Sequence, residues 1–141
     1  MPPPFVLKAA TSMHRAVIKL SGGRLGWTVA KMPVIELLTT GRKSGQQRST
    51  MLTTPWSDGE TVAIVASAGG SDKHPAWFLN LQANPAVQIR TERGTAAMKA
   101  RVLSGEERAS RFDEIAAKYP NYADYQKNTS RVIPVVVLEP A

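Results

Sequence analysis

The chain has 141 residues, 43% hydrophobic and 21% charged, the composition of one folded domain with a real core. It has no cysteine, which excludes disulfides, thiolate metal sites and a cysteine nucleophile, and its two histidines, His14 and His74, show no metal-ligand spacing, so no metal is expected. The net charge of +7 sits in the first third: residues 1–50 carry eight basic side chains against Glu36 alone, whereas residues 51–141 carry ten of each sign.

Pro2-Pro3-Pro4 opens the chain and should be extended. Phe5, Val6, Ala9, Met13, Ala16, Val17 and Leu20 then recur at helical spacing, with Lys8, Arg15 and Lys19 between them. That pattern predicts an amphipathic helix within residues 1–30, stopped by Ser21-Gly22-Gly23. Charges interrupt every apolar run, so it is no signal peptide, and it is too short and charged to span a bilayer. Packing on a barrel and lying on an anionic membrane surface both suit it.

Val34–Thr40 and Ser49–Thr54 read as strands around Gly41-Arg42-Lys43-Ser44-Gly45-Gln46-Gln47-Arg48. This turn gathers cations, hydroxyls and amides at the mouth of a hairpin, a setting suited to a phosphate or other polyanion. It is not a Walker A loop, because Lys43 precedes the second glycine. A plain solvated hairpin tip would have the same composition.

Ser57–Glu60 signals a turn, Thr61–Ser67 a third strand and Ala68–Asp72 a loop. Pro75 can open a short helix to Gln82, closed by Asn84-Pro85. Trp77 and Asn80 share one face of it, as ligand contacts or as core and cap. Val87–Thr91 and Ala97–Leu103 alternate like a second hairpin. Ser104 and Glu107 have capping-box spacing ahead of a helix that points Ala109, Phe112, Ile115 and Ala116 to one side. Tyr119, Tyr122 and Tyr125 are all the tyrosines of the chain and would form one aromatic face, over a planar ligand or against the barrel. Val132–Leu138 is a last, very apolar strand. No repeat, linker or Gly-x-Ser-x-Gly elbow occurs. The expectation is a single α+β domain over residues 1–141, a small antiparallel barrel flanked by helices. Its anionic partner would be a phosphorylated cofactor or a lipid surface; nucleic acid is not expected, since neither a helix-turn-helix nor an RNP signature occurs.

Gly-Arg-Lys-Ser-Gly-x-x-Arg (41–48), Ala-Ser-x-Gly-Gly (66–70), His-Pro-x-Trp-x-x-Asn-Leu-x-Ala-Asn-Pro (74–85), Tyr-x-x-Tyr-x-x-Tyr (119–125) and Ile-Pro-Val-Val-Val-Leu-x-Pro (133–140) follow in that order. The set, over about residues 30–141, resembles the deazaflavin-dependent nitroreductase family of actinobacteria. The resemblance implies a split β-barrel of the FMN-binding type that uses coenzyme F420, a deazaflavin with a phosphodiester and an oligoglutamate tail. It implies hydride transfer to quinones, nitroaromatics or activated enones in a cytoplasmic enzyme, with the inner membrane surface as an alternative address. An FMN oxidoreductase on the same fold, or a non-catalytic cofactor or lipid carrier, are the alternatives, and oligomeric state is left open.

By motif, the resemblance assigns Arg42, Lys43, Ser44 and Arg48, with Gln46 and Gln47 in the same turn, to the phosphate end of the cofactor. Met51, Ser67, Ala68, Ala76, Trp77 and Asn80 would border the ring, and Ser67, Tyr119, Tyr122 and Tyr125 would face substrate. No motif supports a role for Arg24 or Lys31 at the glutamates. Met51 stands where many relatives carry Pro, Thr53 where a Tyr occurs and Ala68 where a Lys often follows the serine. The last two make the substrate pocket less polar and less aromatic, which weighs against nitroimidazole reduction.

Overall fold

Eight antiparallel strands and three helices make up the computed structural model, which describes Thr28–Val29 and residues 32–141. The amphipathic segment expected at 1–30 otherwise lies outside the described residues. The strands are β1 (Thr28–Val29), β2 (Met32–Thr40), β3 (Gln47–Thr53), β4 (Trp56–Asp58), β5 (Thr61–Val65), β6 (Ala86–Thr91), β7 (Gly94–Val102) and β8 (Val135–Pro140). The helices are α1 (Ala76–Ala83), α2 (Gly105–Lys118) and α3 (Asn121–Lys127), and a short 3-10 turn covers Ala68–Gly70.

Each hairpin follows from local sequence. Val87 and Ile89 of β6 point inward while Ala86, Gln88 and Arg90 face out, the period-2 signature of a strand with one face covered. β8 shows no such alternation. Val136 and Leu138 face the barrel interior, and Val135 and Val137 face α2 and α3, so apolar residues suit both sides.

The ladder order is β3-β2-β6-β7-β8-β5-β4, with β1 a two-residue addition to β2. Among the described residues no ladder joins β3 to β4, so the barrel is split along that seam. Ile35, Leu37, Ile64, Val87, Ile89, Met98, Val136 and Leu138 fill its interior, and α1 adds Trp77, Phe78 and Leu81. On the outer face, α2 and α3 cover Ala63, Val65, Val135 and Val137 with Phe112, Ile115 and Tyr122.

The registers Leu38↔Gln88, Ala86↔Lys99, Val102↔Val136 and Val65↔Val135 set the polarity of the barrel. At one rim β2, β5 and β7 end and β3, β6 and β8 begin. The 41–46 turn, the 66–75 loop and α1 therefore share that rim. The tips of the β4–β5 and β6–β7 hairpins lie at the other.

Three sequence expectations shift. The third strand stops at Val65: Ala66 N–H still donates to Pro134 O, but proline has no N–H to return the bond, and Ser67 turns to φ −78°, ψ −32°. The last strand begins at Val135, and Val132 is exposed. Ser104 does cap α2 with extended backbone, but its side chain makes no capping bond: Gly105 enters the helix at φ +57°, and Glu107 pairs with Arg101 at 2.9 Å.

Candidate active site at one rim of the barrel

The basic turn is built by its own backbone. Gly41 N–H donates to Gln46 O at 2.8 Å, and Gly45, at φ +71°, donates to Gly41 O at 2.8 Å. The Ser44 hydroxyl accepts from Gln46 N at 3.2 Å and from Arg48 Nη2 at 3.4 Å. A Cβ at Gly41 would lie 2.7 Å from that hydroxyl and 3.2 Å from Gln46 O, so any larger residue there would push the Ser44 side chain out of its bonds to Gln46 and Arg48.

Asn80 of α1 then fixes the turn from behind. It is 4% exposed, and its Oδ1 accepts from Arg42 N at 3.1 Å and Arg42 Nη1 at 3.0 Å. Its Nδ2 donates to Thr39 Oγ1 at 3.3 Å. One buried amide thus joins α1, the end of β2 and the first cation of the turn. Arg42, Lys43 and Arg48 are exposed, and among the described residues no carboxylate pairs with any of them. The nearby acid, Glu36, is buried under β2 and is engaged by Arg90 and the Ser49 hydroxyl (2.8 Å). Positive charge therefore accumulates at this rim without local neutralisation.

The Ser67 loop comes next. Ala68, Gly69 and Gly70 all take left-handed φ, at +46°, +66° and +88°. For Ala68 this costs about 1–2 kcal/mol, a strain that must be held by its surroundings. Gly70 presses on α3, where an added Cβ would lie 3.1 Å from Tyr125 O, so the loop and the tyrosine helix are in direct contact. Ser67 is 8% exposed; its carbonyl accepts from Gly70 N at 2.9 Å and Arg131 Nη2 at 2.9 Å, and its hydroxyl has no hydrogen-bond partner among the described residues.

Arg131 also donates to Ser71 O at 2.7 Å, Ala66 O at 3.1 Å and His74 Nδ1 at 3.1 Å. Burial first, then the Arg131 charge, lowers the His74 pKa from its ordinary 6.5, which favours the neutral ring that can accept this bond. The sequence reading missed Arg131. Its only trace there is a cation two residues before Ile133-Pro134.

The tyrosines are not one helical face. Tyr119 caps the C-terminus of α2, and Pro120 separates it from α3. Tyr122 is 5% exposed; its hydroxyl shares a 3.0 Å hydrogen bond with Thr53 Oγ1 and lies 3.5 Å from Met32 Sδ. Burial raises its pKa above 10.0, with the Thr53 bond working against the shift, so it is a neutral phenol at physiological pH. Its bond to Thr53 carries α3 across to β3. Tyr125, half-buried, meets the Tyr122 ring edge-on with centroids 5.9 Å apart.

Of the residues assigned from sequence, Arg42, Lys43, Ser44, Gln46 and Arg48 form one turn, and Asn80 ties Trp77 and Ala76 of α1 to it. Ser67 and Ala68 lie at the same rim, and Tyr119, Tyr122 and Tyr125 share the outer cluster next to them. Trp77 is buried in the barrel core, and Met51 packs on Val34 on the outer face of β2–β3.

Comparison with known proteins bears on what the site serves. The family model described as F420H(2)-dependent quinone reductase matches residues 10–140. An F420H(2)-dependent quinone reductase of Mycobacterium tuberculosis is 38% identical over 130 residues, 89% of this chain and 87% of that protein. A solved F420-H2 dependent reductase superposes with a TM-score of 0.67 at 40% identity, covering 76% of this chain and 94% of that one. A structure described as a domain-swapped dimer gives 0.69 at 35% identity, covering 94% and 98%. A pyridoxinephosphate oxidase family protein of Clostridium acetobutylicum gives 0.53 at 8% identity over 92% and 84% of the two chains, a likeness of fold alone.

Proposed function

The chain belongs to the F420H(2)-dependent quinone reductase family and is an F420H2-dependent oxidoreductase, and from that premise we propose which residues serve the reaction and with what acceptor. The acceptor is a quinone. Bound reduced coenzyme supplies the hydride; the chain supplies grip, orientation and a polarising donor.

The observation that carries this reading is the turn at 41–48: three exposed cations that no carboxylate pairs among the described residues, on a backbone pinned by Asn80. That donor set fits a phosphodiester, since guanidinium groups and a lysine give charged hydrogen bonds of about 1.5–3 kcal/mol each. Arg42, Lys43 and Arg48 would hold that anionic end. Ser44 and Gln46 shape the turn, and Asn80 acts through Arg42, its carbonyl oxygen already engaged.

Ser67, Ala68 and Ala76, at the rim, would border the planar ring; Trp77, buried in the core, would back it from behind α1, and Met51, on the outer face of β2–β3, is not placed to join them. Ser67 brings a hydroxyl with no hydrogen-bond partner among the described residues, able to donate to the acceptor oxygen where negative charge grows, a contribution of order 3 kcal/mol for a well-placed donor. Tyr119 and Tyr125, both half-buried, would flank the acceptor. Tyr122 stays protonated and holds Tyr125 edge-on while tying α3 to Thr53.

Titration of the purified chain with oxidised coenzyme F420 and, separately, with FMN tests the cofactor, followed by single-turnover reduction of menadione by the reduced deazaflavin. Saturable deazaflavin binding with turnover is expected. Tight FMN binding with indifference to the deazaflavin would refute the assignment, and deazaflavin binding without turnover would leave a carrier. Nitroaromatic acceptors belong in the same assay, where the small side chains of Thr53 and Ala68 lead us to expect quinones to be the faster substrates.

A further inference from the structure

We propose that Arg131 is a positioning residue for the acceptor side of the site: its guanidinium clamps the left-handed turn that presents the Ser67 hydroxyl and locks it to the tyrosine helix. The proposal rests on the role given to Ser67 above.

Three carbonyls from one short stretch, Ala66, Ser67 and Ser71, converge on Nε and Nη2 of Arg131, at 3.1, 2.9 and 2.7 Å, while Nη1 reaches the His74 ring at 3.1 Å. Among the described residues no carboxylate forms an ion pair with this cation, and its donors go to loop backbone and the His74 ring. A turn of three consecutive left-handed residues, one of them alanine, does not persist unaided. The planar fork satisfies from one side the carbonyls that the turn orients toward it. With the Ser67 carbonyl taken by Arg131 and Gly70, the backbone of Ser67 is fixed while its hydroxyl makes no bond among the described residues.

Arg131 is itself anchored to the tyrosine helix. Its carbonyl accepts from Gln126 Nε2 at 2.7 Å, and its N–H donates to the Thr129 hydroxyl at 3.3 Å. That hydroxyl donates in turn to Asp72 Oδ1 at 2.8 Å. Gln126 also accepts from Arg108 Nη2 at 3.0 Å, which brings α2 into the network. The serine on one wall and the tyrosines on the other are thereby held in mutual register through one residue, its backbone bound to α3 and its side chain to the loop. A lysine, with its donors on a single nitrogen, cannot span these acceptors.

The test uses the full chain and Arg131→Lys, Arg131→Ala, Ser67→Ala and the double variant Arg131→Ala/Ser67→Ala. Hydrogen exchange without ligand reads the Gly70 and Ser71 amides, which donate to Ser67 O and Ala68 O, against Gly45 in the basic turn. We expect exchange at Gly70 and Ser71 to rise about tenfold or more in both Arg131 variants, with Gly45 unchanged. Unchanged exchange at Gly70 and Ser71 overturns the proposal.

In menadione reduction, Arg131→Ala should lower kcat by roughly tenfold or more while the deazaflavin Kd moves less than about twofold. Because Arg131 acts through Ser67, adding Ser67→Ala to Arg131→Ala should cost less than about threefold further. Guanidinium ion should restore part of the Arg131→Ala rate. Full additivity of the two substitutions, or equal losses in kcat and Kd, overturns it. The exchange measurement needs no cofactor and decides on Arg131 even if the wild-type chain fails to reduce menadione, a result that would count against the proposed reaction instead. Should Arg131→Ala not fold, Arg131→Lys carries both measurements.

Discussion

Asn80 offers the sharpest handle on the anion grip, because two substitutions there separate geometry from charge. In Asn80→Ala, Arg42 loses one neutral and one charged hydrogen bond to Oδ1, and Thr39 loses its Nδ2 partner. Summed at face value these bonds come to about 2.5–6 kcal/mol, but Arg42 is exposed and water recovers much of the loss, so we expect destabilisation of about 2 kcal/mol. For a chain of this size that lowers the melting temperature by roughly 4–8 °C. The turn also loses its backing, and the deazaflavin Kd should rise about tenfold, equivalent to 1.4 kcal/mol. Asn80→Asp behaves differently. A carboxylate accepts both Arg42 bonds, and the Thr39 hydroxyl can rotate to donate to it, so stability should stay within about 1 kcal/mol of wild type. It does, however, neutralise one of the three cations, and the deazaflavin Kd should again rise about tenfold or more. Calorimetric titration and thermal unfolding read both quantities. Wild-type affinity in Asn80→Asp would refute the argument, since a phosphate end gripped at this turn must feel the added negative charge.

Lys43→Ala removes the cation of the turn that makes no hydrogen bond or ion pair among the described residues, so it should leave stability within about 0.5 kcal/mol while raising the deazaflavin Kd about tenfold; an unchanged titration would place the anionic end elsewhere. Tyr122→Phe deletes the bond to Thr53 and should cost about 0.5–1.5 kcal/mol of stability, with turnover on menadione falling more than cofactor affinity; an equal fall in both would reduce Tyr122 to packing. His74 has a lowered pKa, so its contribution is complete above the ordinary value of 6.5 and is lost as pH falls below it toward the folded value, when an imidazolium would confront the Arg131 guanidinium. Protection of Gly70 relative to Gly45 should therefore weaken as pH drops from 7 into the range below 6.5, and His74→Gln should flatten that dependence; parallel behaviour of the two amides would exclude the coupling.

Much of this was readable from the chain because its signals are local. The alternation Val87–Ile89, the all-apolar Val135–Leu138 and the glycine-bounded basic turn each state their own conformation, and the ordered motifs together pointed to the family and its deazaflavin. What escaped depends on partners distant in sequence. Ser104 and Glu107 have the spacing of a reciprocal cap, yet Arg101 on β7 claims the glutamate. Val132 reads as strand, but residues 129–134 are drawn off to serve the Ser67 loop through Arg131. Asn80 stood on the right face of its helix, while its choice of Arg42 and Thr39, about forty residues away, could only come from the fold.

Gathering the basic turn, the Ser67 loop and α1 at one rim has a practical corollary. β8 runs away from that rim, and Ala141 lies at the opposite one, its N–H bonded to Ala97 O at 3.1 Å. Attaching the protein to a sensor surface through a tag added after Ala141 would hold it with the phosphate-gripping bend facing the buffer. The hairpin loops near the anchor, around Gly59 and Glu92–Arg93, could take epitope tags or dyes without touching anything that handles the coenzyme.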